Sequence, residues 1–192
     1  MGNDNEIEVL KPQNLTNSSR EVKPSDLPKY WNKEYIVEKI EPIKNYKHKM
    51  LMRFLWMTGL RVTEAVNLRK SDIDFQNYIM TVRWQKSRKF NYRNVPIHPN
   101  LKDILQLYTA SMKADELVFP ITRQRAWQIV KKYLGGHPHK FRHSFAVNWL
   151  RCDGDITILS RIMGHSKLQS TMIYLNIVPV DQGKELMKIE FS

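Results

Sequence analysis

The 192-residue chain has one cysteine, Cys152, which excludes an intramolecular disulfide and a cluster of thiolate metal ligands. No stretch reaches the ~18–20 consecutive apolar residues that a membrane-crossing helix needs. The opening "MGNDNEIEVLKPQNLTNSSR" lacks the basic start and apolar middle of a secretory signal. The 7 glycines form neither a phosphate-cradling loop nor a dinucleotide fingerprint. Acidic residues are scarce too: 19 Asp and Glu stand against 31 Lys and Arg, a formal net charge of +12. Together these shortages lead us to expect a soluble, cytoplasmic protein of a reducing compartment. The charge makes a polyanion the first partner to consider.

What is present is enough for one packed domain. Apolar residues make up 42% and aromatics 10% of the chain, which argues against wholesale disorder. Residues 1–26 are polar and rich in Asn and Ser, and read as a flexible tail or linker remnant; residues 27–192 read as the folded domain. Tyr35, Ile36, Ile40 and Ile43 give a first helical stripe. "YKHKMLMRFLWMTGL" is a more apolar helix interrupted at Gly59, and "VTEAVNL" continues as another. "SDIDF", "YIMTVRW" and "NYRNVPI" alternate as strands do, with "QKSRKFN" expected at a hairpin tip. Helices return in "LKDILQLYTASMK", "TRQRAWQIVKKYL", "HKFRHSFAVNWLR" and "DITILSRIMG", the last with Asp155 as N-cap and Gly164 as stop. Ser166 and Gln169 have capping-box spacing. The expected class is α+β, mainly helical, with one small antiparallel sheet.

Four stretches combine residue types that chemistry uses. In "TGLRVTEAVNL", Arg61 and Glu64 share a helical face. A surface ion pair is the commoner meaning; a phosphate-gripping fork steadied by an acid is the sharper one. "RWQKSRKFNYR" holds Arg83, Lys86, Arg88, Lys89 and Arg93 with no acid. It suits either a solvated sheet edge or a contact that tracks a DNA backbone. A lysine there can protonate a leaving oxygen if its surroundings depress its pKa. "HPHKFRH" sets His139 and Arg142 on one face near a helix N-terminus, where anions are favoured, with Lys140 between them and His143 one further. In "GHSKLQSTMIYL", Tyr174 follows His165 by nine positions. A buried tyrosine with a satisfied hydroxyl is the usual reading; a phenol attacks only when a base or cations help it. His137, His139 and His143 lack a second ligand set at zinc spacing, so no metal is expected.

In this order, the four blocks resemble the tyrosine recombinases, and specifically the catalytic domain of phage-type integrases and Xer-like recombinases. The match runs from about Leu27 to Asn176, and the H-x-x-R-H-S-F-A and G-H-S blocks are its most specific parts. The resemblance implies the tyrosine-recombinase catalytic fold with a three-stranded antiparallel sheet. It implies strand cleavage through a covalent 3′-phosphotyrosine, with no metal, ATP or other cofactor. Arg61 and Arg142 then clamp the scissile phosphate, Lys86 protonates the departing 5′ oxygen, and Tyr174 is the nucleophile. His139 accepts a proton or donates a hydrogen bond, His165 contacts the phosphate, and Glu64 orients Arg61. Arg83, Arg88, Lys89, Arg93 and Lys140 are the expected outer DNA contacts. The implied partners are double-stranded DNA carrying a recombination site and three further copies in a homotetramer. The family usually places a helical core-binding domain first, and only the short tail precedes Leu27 here.

Two other readings stand beside this one. A type IB topoisomerase uses a similar pocket to nick and close DNA as a monomer. "ITILSRIMGHSKLQSTMIYL" also has the outline of a helix-turn-helix reader in a non-catalytic regulator, which leaves Arg61, Lys86, His139 and Arg142 without a purpose.

Overall fold

The computed structural model describes residue 25, residues 27–86 and residues 89–178. Helix α1 (Lys33–Ile40) starts at Asn32, whose side chain accepts from the Tyr35 N–H, and it buries Ile36 and Ile40. Helix α2 (Tyr46–Thr58) is capped in the same way by Asn45 and turns Met50, Leu51, Phe54 and Leu55 inward. It ends at Gly59, which takes φ 63° and donates to the Leu55 carbonyl. A side chain here would be strained, because only glycine enters the left-handed region without steric cost. The chain reverses and enters α3 (Val62–Val66) with Arg61 at its N-cap.

A three-stranded antiparallel sheet follows, in the order β1 (Ile73–Asp74), β2 (Ile79–Lys86), β3 (Lys89–Pro96). Met80 pairs with Val95, and Val82 with Arg93. Met80, Val82 and Val95 are buried, so alternation gives the sheet one face on the core. The first strand is only two residues long, shorter than "SDIDF" suggests. Backbone pairing also runs on to Lys86 and Lys89, through positions expected in the hairpin tip. Ladder pairing uses main-chain groups alone, so a polar, charged sequence does not prevent it.

Helices α4 (Pro99–Thr109), α5 (Arg123–Leu134), α6 (His139–Arg151) and α7 (Ile156–Met163) complete the body. Asp155 caps α7 by accepting from the Thr157 and Ile158 N–H groups. The capping box at Ser166 and Gln169 does not form. Helix α8 (Gln169–Met172) starts with Gln169 as its first residue and Leu168 at the cap, and it passes into a 3-10 turn, Ile173–Asn176. A helix-turn-helix reader therefore has no recognition helix here: α8 is a single turn, too short to lie along a groove. Among the described residues, no helix is long and apolar enough to cross a membrane.

The apolar interior falls into two clusters. The larger gathers α1 to α6, the sheet and Ile162 of α7, with Phe54, Leu101 and Phe141 among its fully buried members. The smaller joins Ala146, Val147 and Leu150 of α6 to Leu159 and Met163 of α7, and to Tyr174. Chemistry-bearing residues collect where the ends of α2, α3, α7 and α8 meet the first turn of α6.

Candidate active site

Arg142 is the largest fully buried side chain, 1% exposed. Its Nη1 donates to the Gly59 carbonyl at 2.9 Å and its Nη2 to the Met163 carbonyl at 2.5 Å. Both acceptors are carbonyls left over at helix C-termini, of α2 and α7 respectively. Their partial negative charge makes burial of the guanidinium tolerable. Burial, with Arg61 next in weight, pushes its pKa down to about 10, which still leaves a cation at neutral pH. Among the described residues no carboxylate lies within ion-pair distance of it. The charge is held but not neutralised.

The same nitrogen lies 3.0 Å from Nε2 of His165. A guanidinium only donates, so Nε2 accepts and Nδ1 carries the ring proton. Nδ1 donates to Thr171 Oγ1 at 2.8 Å, and Thr171 is fully buried. His165 owes its place to the end of α7: its N–H reaches the Ser160 carbonyl while the Gly164 N–H reaches that of Arg161. This is the paired bonding that a left-handed glycine stop produces, and Gly164 has φ 64°. Burial first, then Arg142, Arg61 and Arg93, push the imidazole down to about 4, so it is neutral at pH 7.

Arg61 and Glu64 pair as expected. Glu64 accepts from the Arg61 backbone N–H at 2.8 Å and from its Nη1 at 3.1 Å. A second arginine completes the arrangement. Arg93 donates through Nη1 and Nη2 to both oxygens of Glu64, each at 2.9 Å, and through Nε to the Ile162 carbonyl at 2.8 Å. The reading of Arg93 as an outer DNA contact is corrected by this. Strand alternation turns it inward, and Nε, Nη1 and Nη2 each donate to a protein acceptor. Burial alone would raise the Glu64 pKa, but the Arg93 bonds and charge, with those of Arg61, outweigh it and hold the carboxyl below its ordinary value. The Arg61 side chain is 37% exposed and keeps donors free of Glu64.

Tyr174 is 3% exposed, with its ring in the smaller cluster. Its hydroxyl is 2.8 Å from Nδ1 of His143. Burial raises its pKa, against a downward pull from Arg142 and then Arg61. His143 is half-buried and packs edge-on against His139, ring centroids 4.6 Å apart. The ring is core and the hydroxyl is satisfied, as the commoner reading has it, and that hydroxyl faces the basic cluster. His139 is exposed and lines a second cleft with Arg61, Arg123 and Trp127.

The main cleft, about 1160 Å³, lies between the hairpin and α7–α8; Arg61, Arg83, Trp84, Asn91, Arg161 and His165 line it. Arg83 is exposed on its wall. Lys140 lies over the Trp31 ring at 5.1 Å, apart from the residues lining either cleft. Lys86 and Lys89 are placed by their backbones as the last pair of the hairpin, their side chains outside the described atoms; Arg88 lies outside the described residues. The sequence reading missed His143, Thr171 and the inward role of Arg93. His143 had a signal, since it sits four residues after His139 on the same helical face.

The assembly of helices and one small sheet around this cluster is the catalytic-domain fold of the tyrosine recombinases. A family model described as the phage integrase family matches residues 32–179, and the chain belongs to that family. Tyrosine recombinase XerA of Thermococcus onnurineus (strain NA1) is 32% identical over 194 residues, covering 92% of this chain and 65% of the relative. XerA of Pyrococcus horikoshii is 29% identical over 191 residues, covering 92% and 64%. The chain thus spans a little under two thirds of the length of these curated relatives. Among solved structures, the XerA recombinase crystal structure has a TM-score of 0.69 at 25% identity, covering 86% of this chain and 64% of that one. The catalytic domain of bacteriophage HP1 integrase has a TM-score of 0.66 at 24% identity, covering 84% and 94%, a likeness of fold.

Proposed function

We propose that this chain is the strand-cleaving part of a site-specific DNA recombinase. Tyr174 attacks the scissile phosphorus to form a 3′-phosphotyrosine, and the 5′ oxygen leaves with a proton from Lys86. A 5′ hydroxyl from a partner strand reverses the step, and the retained bond energy makes ATP unnecessary. Arg61, Arg142 and His165 surround the non-bridging oxygens, where charge builds in the transition state. His139 supplies a further hydrogen bond, and Glu64 holds Arg61. Arg83 and the hairpin cations Arg88 and Lys89, with Lys140, follow the DNA backbone. Residues 27–192 act as the catalytic unit behind the 1–26 tail. The working form is a homotetramer on two DNA sites in the cytoplasm.

One observation carries this reading. Among the described residues, Arg142 is a buried cation held only by carbonyls and a neutral imidazole, beside Arg61. A buried charge without a counter-ion is costly, and an incoming phosphate supplies the missing anion. Recombinases solved in complex with DNA share the fold. The test is to incubate the chain with a randomised duplex library and recover detergent-resistant protein–DNA adducts. Adducts from wild type that vanish in Tyr174→Phe are expected. Adducts that persist in that variant, or none from any duplex, overturn the assignment. Recombinant products, as opposed to relaxed plasmid alone, separate it from a topoisomerase.

A further inference from the structure

Tyr174 cannot attack as a neutral phenol, so its proton must have a destination. Among the described residues its hydroxyl has one hydrogen-bond partner, Nδ1 of His143 at 2.8 Å. The other histidines of the cluster are engaged elsewhere. Both ring nitrogens of His165 are taken, by Arg142 and Thr171. His139 meets the ring of His143 edge-on and faces the second cleft. His143 is the basic group at the phenol.

We propose that His143 is the proton acceptor for the Tyr174 nucleophile, a deeper reading that rests on the strand-cleavage assignment above. In the resting enzyme the phenol donates to Nδ1. As Oη bonds to phosphorus, the O–H bond breaks and its proton passes to Nδ1, making His143 an imidazolium. The P–O5′ bond breaks in the same displacement, and the leaving oxygen takes its proton from Lys86. Religation returns both protons by the reverse path.

The surroundings of His143 suit this role. Facing it are His139 and Arg142 from its own helix, His165 from the end of α7 and Tyr174 from the 3-10 turn. Burial first, then His139, Arg142 and His165, push its imidazole down to about 4, so a lone pair is available at neutral pH. A DNA phosphate against Arg142 and His165 cancels part of that cationic field. Basicity at His143 therefore rises when substrate is in place, and the proton is drawn off only then.

The test uses the full chain and a duplex recovered by wild type in the trapping experiment. The duplex is made in two forms: one ordinary, one with sulfur replacing the bridging 5′ oxygen at the scissile phosphate. His143→Ala and His143→Asn are compared with wild type; Asn keeps an acceptor near the Nδ1 position but cannot take a proton. Adduct formation is expected to fall about 10²-fold or more in both variants. The defect should persist on the sulfur substrate, whose leaving group needs no proton. The residual rate should climb about tenfold per pH unit, because hydroxide must now make the phenolate.

Several results overturn the proposal. They are rates within about threefold of wild type, full recovery in His143→Asn, rescue by the sulfur substrate, or faster cleavage in His143→Ala. Full recovery in Asn would make His143 a positioning residue only, and faster cleavage a brake. Should His143→Ala fold poorly in a thermal melt, His143→Asn alone decides through its rate and pH profile. Absence of any wild-type adduct sinks the strand-cleavage reading itself, an outcome distinct from normal cleavage without His143.

Discussion

Removing the Glu64 carboxylate is the most informative single perturbation of the scaffold. Its two oxygens accept four hydrogen bonds, two from Arg61 and two from Arg93. The Glu64 side chain is 3% exposed and that of Arg93 8%. Glu64→Ala leaves the buried Arg93 guanidinium, among the described residues, only the Ile162 carbonyl as a hydrogen-bond acceptor. Breaking one side of a buried pair costs about 3–5 kcal/mol. At about 2–4 °C per kcal/mol for a domain of this size, the melting temperature should fall by ~6–20 °C at pH 7. Calorimetry or far-UV circular dichroism measures this directly. Glu64→Leu combined with Arg93→Met removes both charges and should recover most of the loss. A single variant melting within about 2 °C of wild type, or a double variant no better than the single, refutes the reasoning. The acid limb gives a second check. The folded carboxyl lies below its ordinary value, so the unfolded chain binds the proton more readily. The pair's stabilisation is complete above the unfolded carboxyl range, near ~4.3, and disappears as pH falls through the lower folded value. Glu64→Gln should lack that slope.

Three further outcomes are expected. Gly59→Ala drives a Cβ into the Phe145 ring at φ 63°; it should cost ~2–4 kcal/mol in urea unfolding from overpacking and left-handed strain, and slow cleavage, because the Gly59 carbonyl holds Arg142. Thr171→Val removes the acceptor of the His165 Nδ1 proton; at about 1–3 kcal/mol for a lost partner the adduct rate should drop roughly 5- to 150-fold, with Thr171→Ser close to wild type. In the free protein, NMR should find His143 and His165 titrating at about 4. The stability from burying them neutral is complete above their unfolded pKa near ~6.5 and declines as pH falls from there toward the folded values. Midpoints near the unfolded value would contradict the site as drawn.

Much of the site was legible because its residues lie at spacings that helices turn into shared faces. Arg61 with Glu64, and His139 with Arg142, were readable from i, i+3 separation alone. The ends of α2 and α7 were announced by Gly59 and Gly164, and those two stops place the carbonyls that hold Arg142. Arg93 was not legible. In a run of cations without acids it looks like its neighbours, and only the register Val82 opposite Arg93 turns it toward Glu64, far away in sequence. The capping box at Ser166 failed for a related reason: tertiary packing of Thr171 and Tyr174 fixes where α8 begins, and a local cap signal yields to it. His143 shares a helical face with His139 by its i, i+4 spacing, but that spacing gives it no role until a phenol is seen against it.

The division of the interior into two clusters has a kinetic corollary. Tyr174 belongs to the smaller one, built from a few side chains of α6 and α7 and closed by a single helical turn and a 3-10 turn. Local opening there is cheaper than global unfolding, since few apolar contacts are lost. Backbone amides of 169–176 should therefore exchange with deuterium well before those of α2. The segment that carries Tyr174, the proposed nucleophile, would come loose while the arginines stay locked to the slow-exchanging body. On the proposed mechanism, a partial melting equilibrium of the segment that bears the phenol would then set its reach toward phosphorus.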